Sequence, residues 1–266
     1  MVARLSHWLF FLIVSFSGAV RAQTSLPSQI LICEDELETP PLTYRSREGD
    51  PKSAESITGY SVAIIREIAA TLGTSVKITL MPWARCQLEV AAGRQHLALN
   101  VTWNAERAKK YLFSRAYFTA HDHYYFSLGR FPNGLVITSL KDLKDYSFCG
   151  LNGFNYAQLG AAADKVDYEA RDHRQIMLKL SFGHCDLFVE KQEIMAGFAL
   201  IGKDWLRYYD IGHEPLPEAT ETRFHMLIQP GATGATLKRL IDSTLEKMET
   251  DGRLEALRQH FIDTKS

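Results

Sequence analysis

The 266-residue sequence carries almost no excess of charge of either sign, with 30 basic side chains against 31 acidic ones, and it has no run of lysines or arginines. A nucleic-acid surface needs a basic face, so no nucleic-acid partner is expected. Long apolar runs are missing after the first twenty residues, and even the run at the start is short for crossing a bilayer. Histidine and cysteine do not gather into a ligand set. His121 and His123 alternate and His184 adjoins Cys185, but no third ligand cluster accompanies them, which argues against a metal centre. No spacing of nucleophile, base and acid demands catalysis, so neither an enzyme nor a cofactor is expected.

What is present begins with an export pattern. Arg4, the apolar run at residues 8–16 and the small-x-small triplet Val20-Arg21-Ala22 read as a signal peptide over residues 1–22, cleaved before Gln23. Its removal takes two arginines and no acid, so the mature chain stays near neutral and is expected to be soluble. Four cysteines are an even count, which in an oxidising compartment favours disulfides and leaves three possible pairings.

Hydrophobic periodicity sets the coarse layout. Residues 29–33 read as a first strand, followed by a polar loop over residues 34–44 that contains Pro40-Pro41. Gly59 then opens a helix with Val62, Ile65, Ile68, Ala69 and Leu72 on one face, and Gly73 suits its C-terminal cap. Strands at residues 76–80 and 97–100, with a helix from Trp83 between them, complete the βαβ rhythm of a parallel sheet. A second such series starts at residues 146–151, continues with helices near 155–163 and 175–182, and reaches a strand at 186–189. Residues 124–128 and 223–229 read as crossing strands, and residues 235–261 as helix interrupted at Asp251-Gly252. Periodicity alone gives an α/β protein.

The stretch that suggests a site is Leu99-Asn100-Val101-Thr102-Trp103-Asn104-Ala105-Glu106-Arg107. There an apolar strand ends in polar groups and feeds a helix, the place where α/β proteins put small ligands. Gly59-Tyr60-Ser61-Val62 precedes it, and Tyr111-Leu112-Phe113-Ser114-Arg115-Ala116-Tyr117-Phe118-Thr119 follows. In this order the elements resemble the family-3 extracellular solute-binding proteins, the periplasmic amino-acid-binding type of ABC transport systems. The likeness runs from about Gln29 to Phe261, with Ala116 standing where the family usually has proline. It implies a two-lobed periplasmic-binding-protein-like fold of type II, with α/β lobes joined by two crossing strands. Lobe 1 would comprise residues 23–127 plus 224–266, and lobe 2 residues 128–223. It further implies a periplasmic monomer that closes on a small polar, carboxylate-bearing solute, an amino acid or a related compound, and presents it to an ABC permease in the inner membrane. A cyclic-acid dehydratase on the same fold and a solute-sensing module without transport are the alternatives.

The resemblance also assigns roles. Arg107 would hold the ligand's carboxylate, Thr102 its ammonium group, and the Asn100 carbonyl would accept from an amine. In the turn Gly150-Leu151-Asn152-Gly153-Phe154-Asn155, the backbone N–H groups at Gly153 and Phe154 would give a second hold at a helix N-terminus; Phe154 replaces a hydroxyl residue, so only the backbone donor carries over. Trp83 and Tyr60 are the aromatic groups expected to wall the cleft. Lys191 stands where many relatives place an aspartate for the ligand's ammonium group. Either Glu190 beside it takes that role or the ligand is not an ordinary α-amino acid. Bridges that stay within each lobe, Cys33 to Cys86 and Cys149 to Cys185, would leave a hinge free to move.

Overall fold

The computed structural model describes residues 26–47 and 56–262; the signal peptide expected over residues 1–22 lies outside them. The chain opens with β1 (Gln29–Asp35), in which Ile30 and Ile32 are wholly buried. The short strands β2 (Tyr44–Arg45) and β3 (Ile57–Thr58) lead to α1 (Tyr60–Thr71). At Gly59, φ is 123° and an added Cβ would lie 2.4 Å from the Leu42 carbonyl oxygen. That close approach lets the N–H groups of Tyr60 and Ser61 donate to the Pro41 and Leu42 carbonyls, so the loop satisfies the first turn of α1. Val62, Ile65, Ile68 and Ala69 are buried on this helix, as their spacing predicts.

Next come β4 (Ser75–Met81), α2 (Trp83–Ala91), β5 (Leu97–Thr102), α3 (Ala105–Ala108), β6 (Leu112–Phe113) and β7 (Phe118–Ala120). The second half holds β8 (Asp122–Ser127), β9 (Phe148–Leu151), β10 (Val166–Ala170), α4 (His173–Ser181), β11 (Leu187–Lys191), α5 (Gln192–Leu200), α6 (Trp205–Tyr209) and β12 (Ile211–Pro215). Finally β13 (Thr222–Ile228) precedes α7 (Gly231–Thr250) and α8 (Arg253–Phe261).

Two sheets share one plan. The first runs β4-β1-β5-β13-β6, with β7 also pairing β13, and the second runs β10-β9-β11-β8-β12. In each, three parallel strands are joined by an antiparallel one, β13 beside β5 and β8 beside β11. The residues expected to cross between lobes therefore sit inside sheets. Tyr124 pairs Val189 in the second sheet, and Phe224 pairs Thr102 in the first. The links between sheets are shorter: His121 between β7 and β8, and residues 216–221 between β12 and β13. The first sheet thus leaves off at Ala120, ahead of the expected lobe boundary at residue 127, and resumes at Thr222, ahead of residue 224. An apolar run such as Tyr124-Tyr125-Phe126 has the same signature inside a sheet as in a covered crossover, so periodicity does not separate them.

Other differences have local causes. The helix expected near residues 155–163 is a 3₁₀ segment, Ala157–Lys165, broken by a non-helical Gly160. β10 and β12 are edge strands with largely polar faces, which leaves little apolar alternation to read. The disulfides are Cys33–Cys86 and Cys149–Cys185, with Cα separations of 5.6 and 5.7 Å, and each stays within one unit.

Candidate functional site

The carboxyl ends of β1 and β5 and that of β11 meet across a cleft that encloses about 600 Å³ of space counting its open mouth. From the first unit it is lined by Glu34, Asp35, Glu38, Asn100, Thr102, Trp83 and Arg107, and from the second by Phe154, Asn155, His173, Glu190 and Lys191.

Arg107 owes its position to Asn104, whose side chain caps α3 by accepting from the Arg107 N–H at 2.8 Å. Its guanidinium donates to the Thr102 carbonyl at 3.0 Å, to Thr102 Oγ1 at 3.2 Å and to the Gly153 carbonyl at 3.1 Å. It lies 5.7 Å from the centre of the Trp83 ring. Every one of these partners is neutral. Burial pulls the Arg107 pKa down to about 10, as expected for a cation with no counter-ion among the described residues.

Asn100 takes a left-handed conformation at φ 54°, which asparagine tolerates better than most residues. Its Oδ1 accepts from Ser61 Oγ at 2.6 Å and from the Tyr117 hydroxyl at 3.0 Å, and its Nδ2 donates to Thr43 Oγ1 at 2.9 Å. The side chain is therefore committed to the wall behind the cleft. Glu34 Oε2 and Asp35 Oδ2 are buried with no hydrogen-bond partner among the described residues. Burial drives the Glu34 carboxyl well above the carboxylate range and raises Asp35 to about 6. Glu38 differs, because Arg47 and Lys203 reach its Oε2 at 3.0 and 2.9 Å and outweigh burial to hold it below its ordinary value.

The opposite wall is internally paired. Lys191 Nζ stands 3.4 Å from Asp122 Oδ1 and 3.5 Å from Glu190 Oε1, and His173 Nε2 stands 3.6 Å from Glu190 Oε2. Burial alone would push Glu190 up, but Lys191 and His173 hold it down at about 2. Burial likewise opposes the charge on Lys191, yet Asp122 and Glu190 more than offset it and its pKa is raised.

Arg107, Thr102, Asn100, Trp83, Phe154 and Glu190 thus share one cleft. Gly153 reaches it with a different group than expected: its carbonyl, accepting from Arg107 and from Trp83 Nε1 at 3.1 Å, instead of its N–H. The expected helix N-terminus is also displaced, since the 3₁₀ segment begins only at Ala157. Tyr60 is a correction. It sits in the core, 2% exposed, with its hydroxyl donating to the Tyr117 carbonyl, because the buried face of α1 claims it. Of the histidines, His121 pairs with Glu193 and His123 faces His213 at 2.9 Å; among the described residues no group of three or more His, Cys, Asp or Glu is placed to hold a metal. Glu34, Asp35, Glu38, Asn155 and His173 escaped the sequence reading. For Glu34 and Asp35 a signal existed, since they end a strand of the same parallel sheet as Asn100.

Two α/β units walling a polar cleft at their strand ends define the two-lobed class of small-molecule binding proteins. The profile of the bacterial extracellular solute-binding proteins, family 3, matches residues 31–264, and the chain belongs to that family. Its fold is the type II periplasmic-binding-protein-like one. Comparison with curated protein sequences gives no match. Among solved structures, an ancestral arginine-binding protein bound to arginine is similar at 20% identity with a TM-score of 0.70, covering 89% of this chain and 99% of the other. The substrate-binding protein of an amino acid ABC transporter aligns at 20% identity and 0.68, covering 88% and 98%. An ancestral amino-acid-binding protein described as a precursor of cyclohexadienyl dehydratase aligns at 18% and 0.67, covering 88% and 96%. At such identities these likenesses show the fold alone.

Proposed function

We propose that this chain is a periplasmic solute-binding protein that captures a small polar, carboxylate-bearing molecule and hands it to an ABC permease in the inner membrane. The observation that carries this reading is the half-buried Arg107 guanidinium, whose bonds among the described residues all go to neutral oxygens at the cleft. A planar fork of donors without a counter-ion suits a carboxylate held at two points. Contacts from both walls then favour the closed arrangement by the ligand's differential affinity for it. A thermal-shift screen across amino acids, organic acids and cyclic acids tests the reading, because a ligand that binds only the native state raises its stability by mass action. At least one carboxylate raises the melting temperature and is recovered unchanged; a screen in which no carboxylate does so contradicts the proposal.

A dehydratase reading draws on Asp35, a cleft carboxyl held near 6 and so able to give up a proton near neutral pH. Glu190, on the other wall of the cleft, is held at about 2 and stays ionised. Conversion of a cyclic acid during the same screen would favour catalysis over capture.

A further inference from the structure

The second wall of the cleft contains a place shaped for an ammonium ion. Asp122, on β8, and Glu190, on β11, are 4% exposed apiece and point their carboxylates at one spot beside the cleft. Asp122 is fixed there by donors from Gln158 and Thr222, and Glu190 by the Lys191 N–H at 2.9 Å. The spot is filled by the protein itself, since Lys191 Nζ lies within 3.5 Å of both acids and its side chain is 8% exposed. Glu190 and Lys191 both line the cleft, so this spot borders the space in which a ligand on Arg107 would lie.

We infer that Lys191 serves as a built-in ammonium group, and that the ligand class is carboxylates without an α-ammonium, such as 2-oxo or 2-hydroxy acids. The inference rests on Arg107 holding the ligand's carboxylate. A second ammonium brought by the ligand would find the place between the two carboxylates already taken by Lys191 Nζ and would meet a like charge there. An oxo or hydroxyl group carries no charge to be opposed, and the residues Glu34 and Asp35 line the same cleft. Lys191 is then a specificity-determining residue, selecting against a group that the rest of the cleft would tolerate.

Two measurements test this. The first titrates the full mature chain with matched sets: phenylalanine, phenylpyruvate and phenyllactate; glutamate and 2-oxoglutarate; leucine and 4-methyl-2-oxopentanoate. In each set that binds, the oxo or hydroxy acid binds at least about tenfold more tightly than the amino acid, a difference of roughly 1.4 kcal/mol. An amino acid that binds as well as its counterpart overturns the inference and leaves the carboxylate-binding reading standing. Silence from every set counts against that reading instead, and the second measurement still decides the inference.

It uses no ligand. Lys191→Ala empties the ammonium place, and its melting temperature, or its refolding yield if it does not fold in plain buffer, is read in methylammonium chloride and in sodium chloride at equal concentration. Methylammonium restores the variant and sodium does not, while the parent protein responds equally to both. Equal response of the variant to the two salts overturns the inference.

Discussion

On the first wall of the cleft, the half-buried Arg107 has no charged partner and the buried Glu34 and Asp35 each keep one oxygen without a hydrogen bond among the described residues, whereas on the second wall Asp122, Lys191 and Glu190 form ion pairs with one another, with His173 Nε2 3.6 Å from Glu190 and outside hydrogen-bond reach. Burying a polar group without a partner opposes folding, and the opposition is removed when a ligand supplies one. Groups paired with each other inside the protein need no ligand and hold the frame together. Under the function proposed here the first wall carries recognition, and the second carries stability and exclusion.

The largest difference should appear when one charge is removed from each wall. Lys191→Met leaves Asp122 and Glu190 facing each other without a cation and should destabilise the fold by about 3–5 kcal/mol. Arg107→Met should change folding stability by about 1 kcal/mol or less, because its charge has no partner to lose. Chemical denaturation of both variants measures this, and similar losses would erase the contrast between the walls. The disulfides give a control in which the units should behave alike. Their sequence separations are 53 and 36 residues, for which the chain-entropy model gives about 4 kcal/mol each. Cys33→Ser/Cys86→Ser and Cys149→Ser/Cys185→Ser should lower stability by similar amounts while ligand binding survives in the folded fraction.

Acids on the two walls should shape the pH dependence of stability in opposite senses. Asp35 sits at about 6 in the fold against an ordinary 3.8, so its contribution is fully present below pH 4 and is lost as pH rises through 6. That loss amounts to about 3 kcal/mol, and Asp35→Asn should abolish it and be the more stable protein at pH 7. Glu190 sits at about 2 against 4.5, so its contribution is present above pH 4.5 and is lost as pH falls toward 2. Glu190→Gln should flatten the acid side of the profile only. The smallest effects belong to the aromatic pair. Trp83→Phe removes the bond to Gly153 and should weaken ligand binding severalfold, whereas Tyr60→Phe loses a core hydrogen bond, destabilises by about 1 kcal/mol and leaves affinity unchanged.

This contrast also marks what the sequence could reveal. Arg107 and Thr102 were legible because a strand end running into a capped helix turn positions them with local chemistry alone. Glu34 and Asp35 looked like the start of a solvated acidic loop. Only the pairing of β1 between β4 and β5 carries them beneath the cleft, and that pairing is long-range. Lys191 was visible as an oddity of position, but its meaning depends on Asp122, 69 positions earlier and its direct partner across β8 and β11. Tyr60 shows the reverse: Gly59 marks the start of α1 in the sequence, but the face on which the next side chain falls is set by packing against Tyr117 and Phe118.

The most direct test of the account is titration calorimetry of the parent protein and of Arg107→Ala with the carboxylate that most raises the parent's melting temperature. A charge-assisted bidentate pair lost from a buried site corresponds to roughly 2–5 kcal/mol, so the variant should bind at least about thirtyfold more weakly while its own melting temperature stays close to the parent's. Equal affinity in a folded Arg107→Ala protein would contradict the assignment of Arg107 as the anchor and, with it, the division of labour between the two walls.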